Sequence, residues 1–277
     1  MSLAGSYDVA ATTTGGRAGE LARLEAQAEL TFDDELPILR AVGMPGPVLE
    51  LGAGSGAVTR RLRAAFPDAA LIAMDVDPTL LALGGAADVT VLGDAHALPL
   101  PTGSVGSVLL RYVVQHLARP VDALREVHRV LRPGGVAVVT DVDAQLWGLA
   151  EPSYPELARV HARLAAAQQR GGGDRFVGRR LTRLLRSAGF GPVRLQTFAT
   201  TNDDRPVDAF EPHLGPGRLA PLLATGEVTM AEFGLAVRRW NEFRADQNSW
   251  IMMLGFSAIA HKSSPEPTEG ETHDHGR

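Results

Sequence analysis

An α/β fold, with a parallel sheet covered on both faces, is predicted by three observations. Short apolar runs alternate with helix-like patterns from Val48 to Asp141. The runs are apolar throughout, which suits strands buried on both faces. Turn-rich breaks punctuate them, notably Gly43 to Pro47 and Arg132-Pro133-Gly134-Gly135.

The elements follow in order. Residues 1–16 are small and polar and are expected to be mobile until a ligand orders them. A helix starts at Arg17, where Leu21, Leu24 and Ala28 fall near helical spacing. A second helix is expected over Asp34–Val42, with Pro37 tolerated only in its first turn. Val48–Leu51 reads as a strand, Val58–Ala65 as a helix and Ala70–Met74 as a strand. Pro78–Leu83 begins a short helix with Pro at its first position. Val89–Leu92 and Val105–Tyr112 are strands. Pro120–Leu131 is a helix whose Leu124, Val127 and Leu131 form one face, and Val136–Asp141 is a buried strand.

After Asp143 the rhythm changes. Residues 144–175 are expected to be helical, with a flexible Gly171-Gly172-Gly173. Val177, Leu181, Leu184, Leu185 and Ala188 trace a helical face closed by Gly189. Val193–Thr200 is a strand. Residues 202–247 are mainly helical, with loops at Pro212–Pro221, and Trp250–His261 is a final apolar strand. Three regions are therefore expected. Residues 1–43 are an N-terminal helical segment, and 44–261 are a core carrying helical cap segments at 144–175 and 202–247. Residues 262–277 are polar and read as a disordered tail.

Composition narrows the function. The 277 residues are 45% hydrophobic and 21% charged, ordinary for a soluble globular chain. The net charge of −5 and the lack of a basic stripe argue against a nucleic-acid partner. There is no cysteine, which excludes disulfides, thiolate metal sites and a cysteine nucleophile. No His/Asp/Glu cluster suggests a catalytic metal. No signal peptide and no run near the ~18 apolar residues of a membrane span is visible, so the expected location is cytoplasmic.

Val48 to Gly56 reads VLELGAGSG, a buried strand entering a helix through a turn almost without side chains. Backbone N–H groups in such a turn approach a polar ligand closely, beside the positive end of a helix. Asp75 ends the second strand about 20 residues on, where an acid can take both hydroxyls of a ribose. Asp77, followed by Pro78, is read as a helix cap. Gly93-Asp94-Ala95 follows the third strand. Its carboxylate can accept from an exocyclic amine while the next N–H donates to a ring nitrogen, which suits adenine. An Asx turn is the plainer reading of that tripeptide. All three parts lie at carboxyl ends of strands, the usual crevice of open α/β sheets.

VLELGAGSG, AMDVDP, GDAHALPLPTGSV and LREVHRVLRPGGVAVV, in that order, resemble the class I (Rossmann-like) S-adenosylmethionine-dependent methyltransferases of small-molecule type. The resemblance covers about residues 20–142. It implies a doubly wound seven-stranded, mostly parallel sheet whose last strand, Trp250–His261, runs antiparallel beside Val193–Thr200. It also implies S-adenosylmethionine as cofactor. Glu50, Gly52, Ala53 and Gly54 would surround its methionine part, and Asp75 its ribose. Val76, Asp94 and Ala95 would meet the adenine. Arg111 would lie near the methionine part or the methyl group. An N-terminal helix covers the cofactor in small-molecule relatives, which makes Tyr7, Arg23 and Gln27 candidate contacts. Glu50 stands where aspartate is commoner and keeps the charge.

The segment VVQHL implies that His116 faces the junction of cofactor and acceptor. Histidine titrates near neutral pH, so His116 is the candidate general base; lining the cavity is its plainer role. His161 and His213 are reserve candidates. The expected activity is methyl transfer to a small-molecule acceptor, at carbon, oxygen or nitrogen, in bacterial specialised metabolism. Aromatic residues concentrate in the second half, among them Trp147, Phe210, Trp240 and Phe243. Core packing is their default role; a few lining a pocket would suit an aromatic or terpenoid-like acceptor. The alternative is a cofactor-binding protein that catalyses a rearrangement or cyclisation without methyl transfer. An NAD-linked oxidoreductase would want a glycine at 57, where Ala57 stands. Three converging polar groups disfavour a non-enzymatic binding module.

Overall fold

The computed structural model describes residues 16–264. Tyr7, the expected N-terminal mobility and all but the first residues of the expected disordered tail lie outside the described residues.

The chain opens with α1 (Gly16–Val42). Strand and helix then alternate through β1 (Val48–Leu51), α2 (Ala57–Ala65), β2 (Leu71–Asp75), α3 (Pro78–Leu81), β3 (Val89–Leu92), β4 (Val105–Arg111), α4 (Pro120–Val130) and β5 (Leu131–Glu151). The second half holds α5 (Pro155–Arg170), α6 (Leu181–Ser187), β6 (Val193–Thr201), α7 (Glu211–Leu214), α8 (Ala220–Ala224), α9 (Met230–Ala245) and β7 (Trp250–His261). The seven strands form one sheet in the order β3-β2-β1-β4-β5-β7-β6. Neighbours from β3 to β5 pair in parallel, whereas β7 runs antiparallel between β5 and β6.

Apolar residues on adjacent strand positions feed opposite faces. Leu49, Val108 and Leu110 pack with Leu124 and Val127 of α4 and Leu181 and Leu185 of α6. Val48, Leu109 and Val138 pack with Phe32 and Leu39 of α1 and Leu62 of α2. This alternation is why nearly every residue of β1 and β4 is buried and why the sequence runs are continuously apolar. The chain reverses direction across the sheet between β1 and β4, which opens a crevice at their carboxyl ends.

Three elements differ from the sequence expectation. The two expected N-terminal helices are one, and α1 runs through Pro37. Pro37 and Asp33, whose carbonyl loses its partner to the ring, are both exposed, so that carbonyl is on the solvent side of the helix. On the other side Phe32, Glu35, Ile38 and Leu39 are buried and hold the helix to the sheet. Residues 144–151 are strand rather than helix, because β5 continues to Glu151. The twelve-residue β7 needs a partner along its length, and Trp147 to Glu151 pair with Met253 to Trp250 through register irregularities. The expected loop at Pro212–Pro221 is a series of short helical turns, with Pro212, Pro216 and Pro221 each in a first turn.

The cap region folds over the carboxyl edge of the sheet. Phe210, Leu214, Trp240 and Phe243 pack with Tyr112, Trp147 and Leu30, and Val160 of α5 packs with Leu222 of α8 and Ala236 of α9. Most of the aromatic residues of the second half are thus core.

Candidate functional site

β1 ends in a turn with three glycines at positive φ, Gly52 (81°), Gly54 (54°) and Gly56 (76°). A Cβ at Gly52 would lie 2.4 Å from Val113, so only glycine fits there. A Cβ at Gly54 would meet nothing within 4 Å, so the backbone here faces open space. Gly52 N and Ala53 N both donate to Met74 O, which fixes the turn against β2.

Asp75 staples this turn to the next one. Its Oδ2 accepts from Gly54 N at 2.7 Å and its Oδ1 from Asp77 N at 2.9 Å. Each carboxylate oxygen keeps a second lone pair. Burial nonetheless pushes the Asp75 carboxyl above its ordinary range, against the pull of those N–H groups. Asp77 caps α3, accepting from Thr79 N and Leu80 N, as its sequence suggested. Val76 beside them is exposed.

Asp94 makes an Asx turn and a side-chain contact with His96 at once. Its Oδ1 accepts from His96 N at 2.8 Å and lies 2.7 Å from His96 Nδ1. Among the described residues its Oδ2 takes no hydrogen bond. Ala95 beneath it is buried.

Glu50 sits at the floor, 5% exposed, accepting from Thr59 Oγ1 at 2.6 Å. Burial pushes its carboxyl up to about 7, against the pull of Thr59 and Arg111. A buried acid in that state is poised to meet a cation. Arg111 turns towards α1: its Nε donates to Glu35 Oε2 at 2.6 Å and its Nη2 to Thr31 Oγ1 at 2.5 Å. Glu35 also accepts from Thr140, which meets Ser257 at 2.7 Å. Arg111 therefore clamps α1 across β4, β5 and β7, and this is its evident use in the structure.

Arg23 on the same helix is paired with Glu20, Nε to Oε2 at 2.8 Å. Gln27 uses its carbonyl to receive Thr31 Oγ1 within the helix.

His116 closes a 3₁₀ turn, Val114–His116, just past β4. Gln168 of α5 places its Nε2 3.2 Å from His116 Nδ1 and donates to Gln115 O at 3.0 Å. Burial and the nearby Arg175, Arg23 and Arg218 push the imidazole down to about 3. Burial, with the arginines adding to it, thus favours the neutral imidazole and sets His116 below the near-neutral range that its residue type suggested. Burial takes His161 down to about 4, and His213 falls well below the usual range.

Four residues at this edge carried no clear sequence signal. Asp141, fully buried within β5 and facing the turn beyond β4, accepts from Gln115 N and Val142 N, each at 2.9 Å, and burial pushes it up to about 7. Its place where the parallel pairing of β5 with β4 ends could have flagged it. Gln168, Arg175 and Arg218 come from cap segments without a motif. Only the glycine run before Arg175 hinted at a turn near the site.

Fold and glycine turn together match the architecture of the class I, Rossmann-like S-adenosylmethionine-dependent methyltransferases. Residues 49–139 match the family model of the methyltransferase domain. The chain carries such a domain. A malonyl-[acyl-carrier protein] O-methyltransferase of Dechloromonas aromatica is 34% identical over 126 residues, which are 42% of this chain and 48% of that protein. The ubiquinone/menaquinone biosynthesis C-methyltransferase UbiE of Methylobacterium nodulans is 34% identical over 101 residues, 33% of this chain and 40% of that one. The similar region therefore spans less than half of these relatives. In three dimensions a possible histamine N-methyltransferase from Thermotoga maritima superposes with a TM-score of 0.55 at 16% identity, over 89% of this chain and 96% of that one.

The cofactor of this domain class fits the residues present. The open space over Gly54, the buried Glu50 carboxyl and the uncommitted Asp94 Oδ2 provide a cradle, an acceptor for a cation and an acceptor for an amine. Among the described residues no group of three or more His, Asp or Glu could hold a metal ion, and no helix is long and apolar enough to cross a membrane.

Proposed function

We propose that the chain transfers a methyl group from S-adenosylmethionine to a small-molecule acceptor, in the cytoplasm and in bacterial specialised metabolism. One observation carries this reading most. Gly54, Asp75 and Asp77 are locked into a single hydrogen-bonded unit at the switch point of the sheet, with the buried Glu50 below it. That unit provides the backbone and acid contacts an adenosine and an amino-acid group call for.

The cofactor supplies an activated methyl on a sulfonium. The rest falls to the protein: to align the acceptor, exclude water and hold its protons. Glu50, Gly52, Ala53 and Gly54 hold the methionine end, Asp75 the ribose, and Val76, Asp94 and Ala95 the adenine. Arg23 and Tyr7 act from the N-terminal segment. Arg111 keeps α1 in place over the crevice. His116 stands on the acceptor side. If its Nδ1 accepts the Gln168 amide proton, its own hydrogen is on Nε2, where it orients the acceptor by donation. It takes a proton only when its cationic surroundings are compensated. The edge-on pair of Tyr112 and Trp147, ring centroids 5.6 Å apart, suits an apolar acceptor body of aromatic or terpenoid-like kind.

The direct test is incubation with methyl-labelled cofactor and an extract of the producing organism. Label in a small molecule is expected, and its identity names the acceptor. Binding of S-adenosylhomocysteine by calorimetry with no label transferred would favour the non-methylating alternative.

A further inference from the structure

We propose that the acceptor carries an oxyanion, a carboxylate or a phosphate, and that Arg175 is the group that binds it. This rests on the methyltransferase reading above and names its substrate class.

The placement of Arg175 is fixed by the backbone. It lies between α5 and the 3₁₀ turn Val177–Arg180. Asp174 N donates to Gln115 O at 2.7 Å, and Ala144 N donates to Arg175 O at 2.8 Å. The segment is thus tied to the turn after β4 and to β5, at the edge of the sheet where His116 lies. The side chain stays on that edge. Its Nη1 is 3.4 Å from Gln168 Oε1, and the same amide reaches His116 Nδ1 through its nitrogen. Guanidinium, amide and imidazole form one continuous row.

The charge around this row is one-sided. Arg175, Arg23 and Arg218 all bear on His116, and Arg175 and Arg218 also bear on His161. Arg23 and Arg218 bear on His213. Burial and the nearby Arg23 hold Arg175 itself down at about 10, with only Asp141 acting the other way. Arg23 has Glu20 as its partner. Among the described residues no carboxylate lies within 4 Å of Arg175. Its chain neighbours differ: Arg179 pairs with Asp143, and Arg180 takes Asp174, the acid adjacent to Arg175.

A second observation points the same way. Among the described residues the Nε2 of His213, 5% exposed, has no hydrogen-bond partner, and His213 shares Arg23 and Arg218 as neighbours with His116. A buried polar atom of this kind is normally satisfied, so it marks a place that a polar ligand completes. Arg175 is half-buried, and a guanidinium partly withdrawn from water with no carboxylate in direct contact is stabilised by a ligand that brings one. Its planar fork matches the two oxygens of a carboxylate or phosphate. A purely hydrocarbon acceptor leaves that charge uncompensated, and an ammonium acceptor is repelled by it.

The cofactor's own carboxylate is the competing source of negative charge, so the test is run with that group in place. The full chain is saturated with S-adenosylhomocysteine and titrated by calorimetry with sodium acetate, sodium benzoate and sodium phosphate, against chloride at equal ionic strength. One or more of these anions is expected to bind with a millimolar Kd, and the preferred one tells carboxylate from phosphate. Arg175→Gln is expected to weaken that binding by about tenfold or more, with S-adenosylhomocysteine affinity changed by less than about threefold. Arg175→Lys, which keeps the charge, is expected to lose less than Arg175→Gln and guards against a folding defect. The proposal is overturned if no anion binds the saturated protein, or if Arg175→Gln leaves anion affinity unchanged. It is also overturned if that variant loses S-adenosylhomocysteine affinity by about tenfold, for the cluster then serves the cofactor. Failure of the wild type to bind S-adenosylhomocysteine at all would instead remove the methyltransferase reading.

Discussion

At the carboxyl ends of β1 and β2 the crevice is made of glycine backbone and carboxylates: Gly52, Gly54, Glu50, Asp75. Further along the same edge, past β4, it is made of guanidinium and imidazole side chains: His116, His161, Arg175, Arg218. The first region is drawn from 26 consecutive residues, Glu50 to Asp75, and its parts bond to one another directly. The second is gathered from four separate stretches of chain and held through intermediaries such as Gln168 and Gln115. A site built from backbone demands glycines at positive φ and acids at strand ends, and both leave marks in the sequence. A site built from long side chains demands only that some arginine arrive from somewhere.

That contrast explains what could be read in advance. The strands of the first half, the capping role of Asp77 and the antiparallel β7 all followed from local apolar runs, turn residues and the family resemblance. The failures lie where tertiary packing overrides a local signal. Pro37 stays inside α1 because the carbonyl it orphans, that of Asp33, lies on the exposed side of the helix. Residues 144–151 extend β5 because β7 is long enough to require it. Arg111 stands where the resemblance expects a cofactor contact, yet Glu35 and Thr31, about 80 residues away in sequence, claim it, and no motif near Arg111 announces them. Arg175 was invisible because an arginine beside a glycine run ordinarily lies in solvent.

The largest expected effect tests whether Arg111 belongs to the clamp rather than to the cofactor side. Arg111→Ala leaves Glu35 buried without its partner and is expected to lower unfolding free energy in urea by about 3–5 kcal/mol. A stability within about 1 kcal/mol of wild type, with S-adenosylhomocysteine binding lost, would move Arg111 back to the ligand. Asp75→Ala tests the other side of the contrast. Losing charged hydrogen bonds is expected to weaken S-adenosylhomocysteine binding by about ten- to a hundredfold, with the circular dichroism spectrum retained. Unchanged affinity would remove the ribose assignment.

His116→Ala is expected to slow label transfer by about tenfold while shifting S-adenosylhomocysteine affinity by less than about threefold. The two regions separate cleanly on this pair of measurements. A wild-type transfer rate would reduce His116 to a wall of the cavity, and a matching loss of cofactor affinity would join it to the first region.

The smallest effect concerns Glu50, where the acid region responds to pH. Its carboxyl lies at about 7 when folded, against an ordinary value of 4.5. The folded chain therefore holds this proton more tightly than the unfolded chain. By linkage, stability of the ligand-free protein falls as pH rises from 4.5 to about 7, and is flat for this group outside that window. A ligand bearing an ammonium group favours the ionised acid, so its affinity moves oppositely and rises by a few-fold through the same window. Asp141 also lies at about 7 and would contribute to the stability slope, but it sits with Gln115 rather than beneath the glycine turn. Glu50→Gln separates them. S-adenosylhomocysteine affinity, followed by calorimetry from pH 5.5 to pH 8, is expected to lose about its few-fold rise in the variant while the Asp141 share of the stability slope persists. An affinity that still climbs in Glu50→Gln would mean that the methionine end is held by some other titrating group. The acid region would then be narrower than its hydrogen bonds suggest.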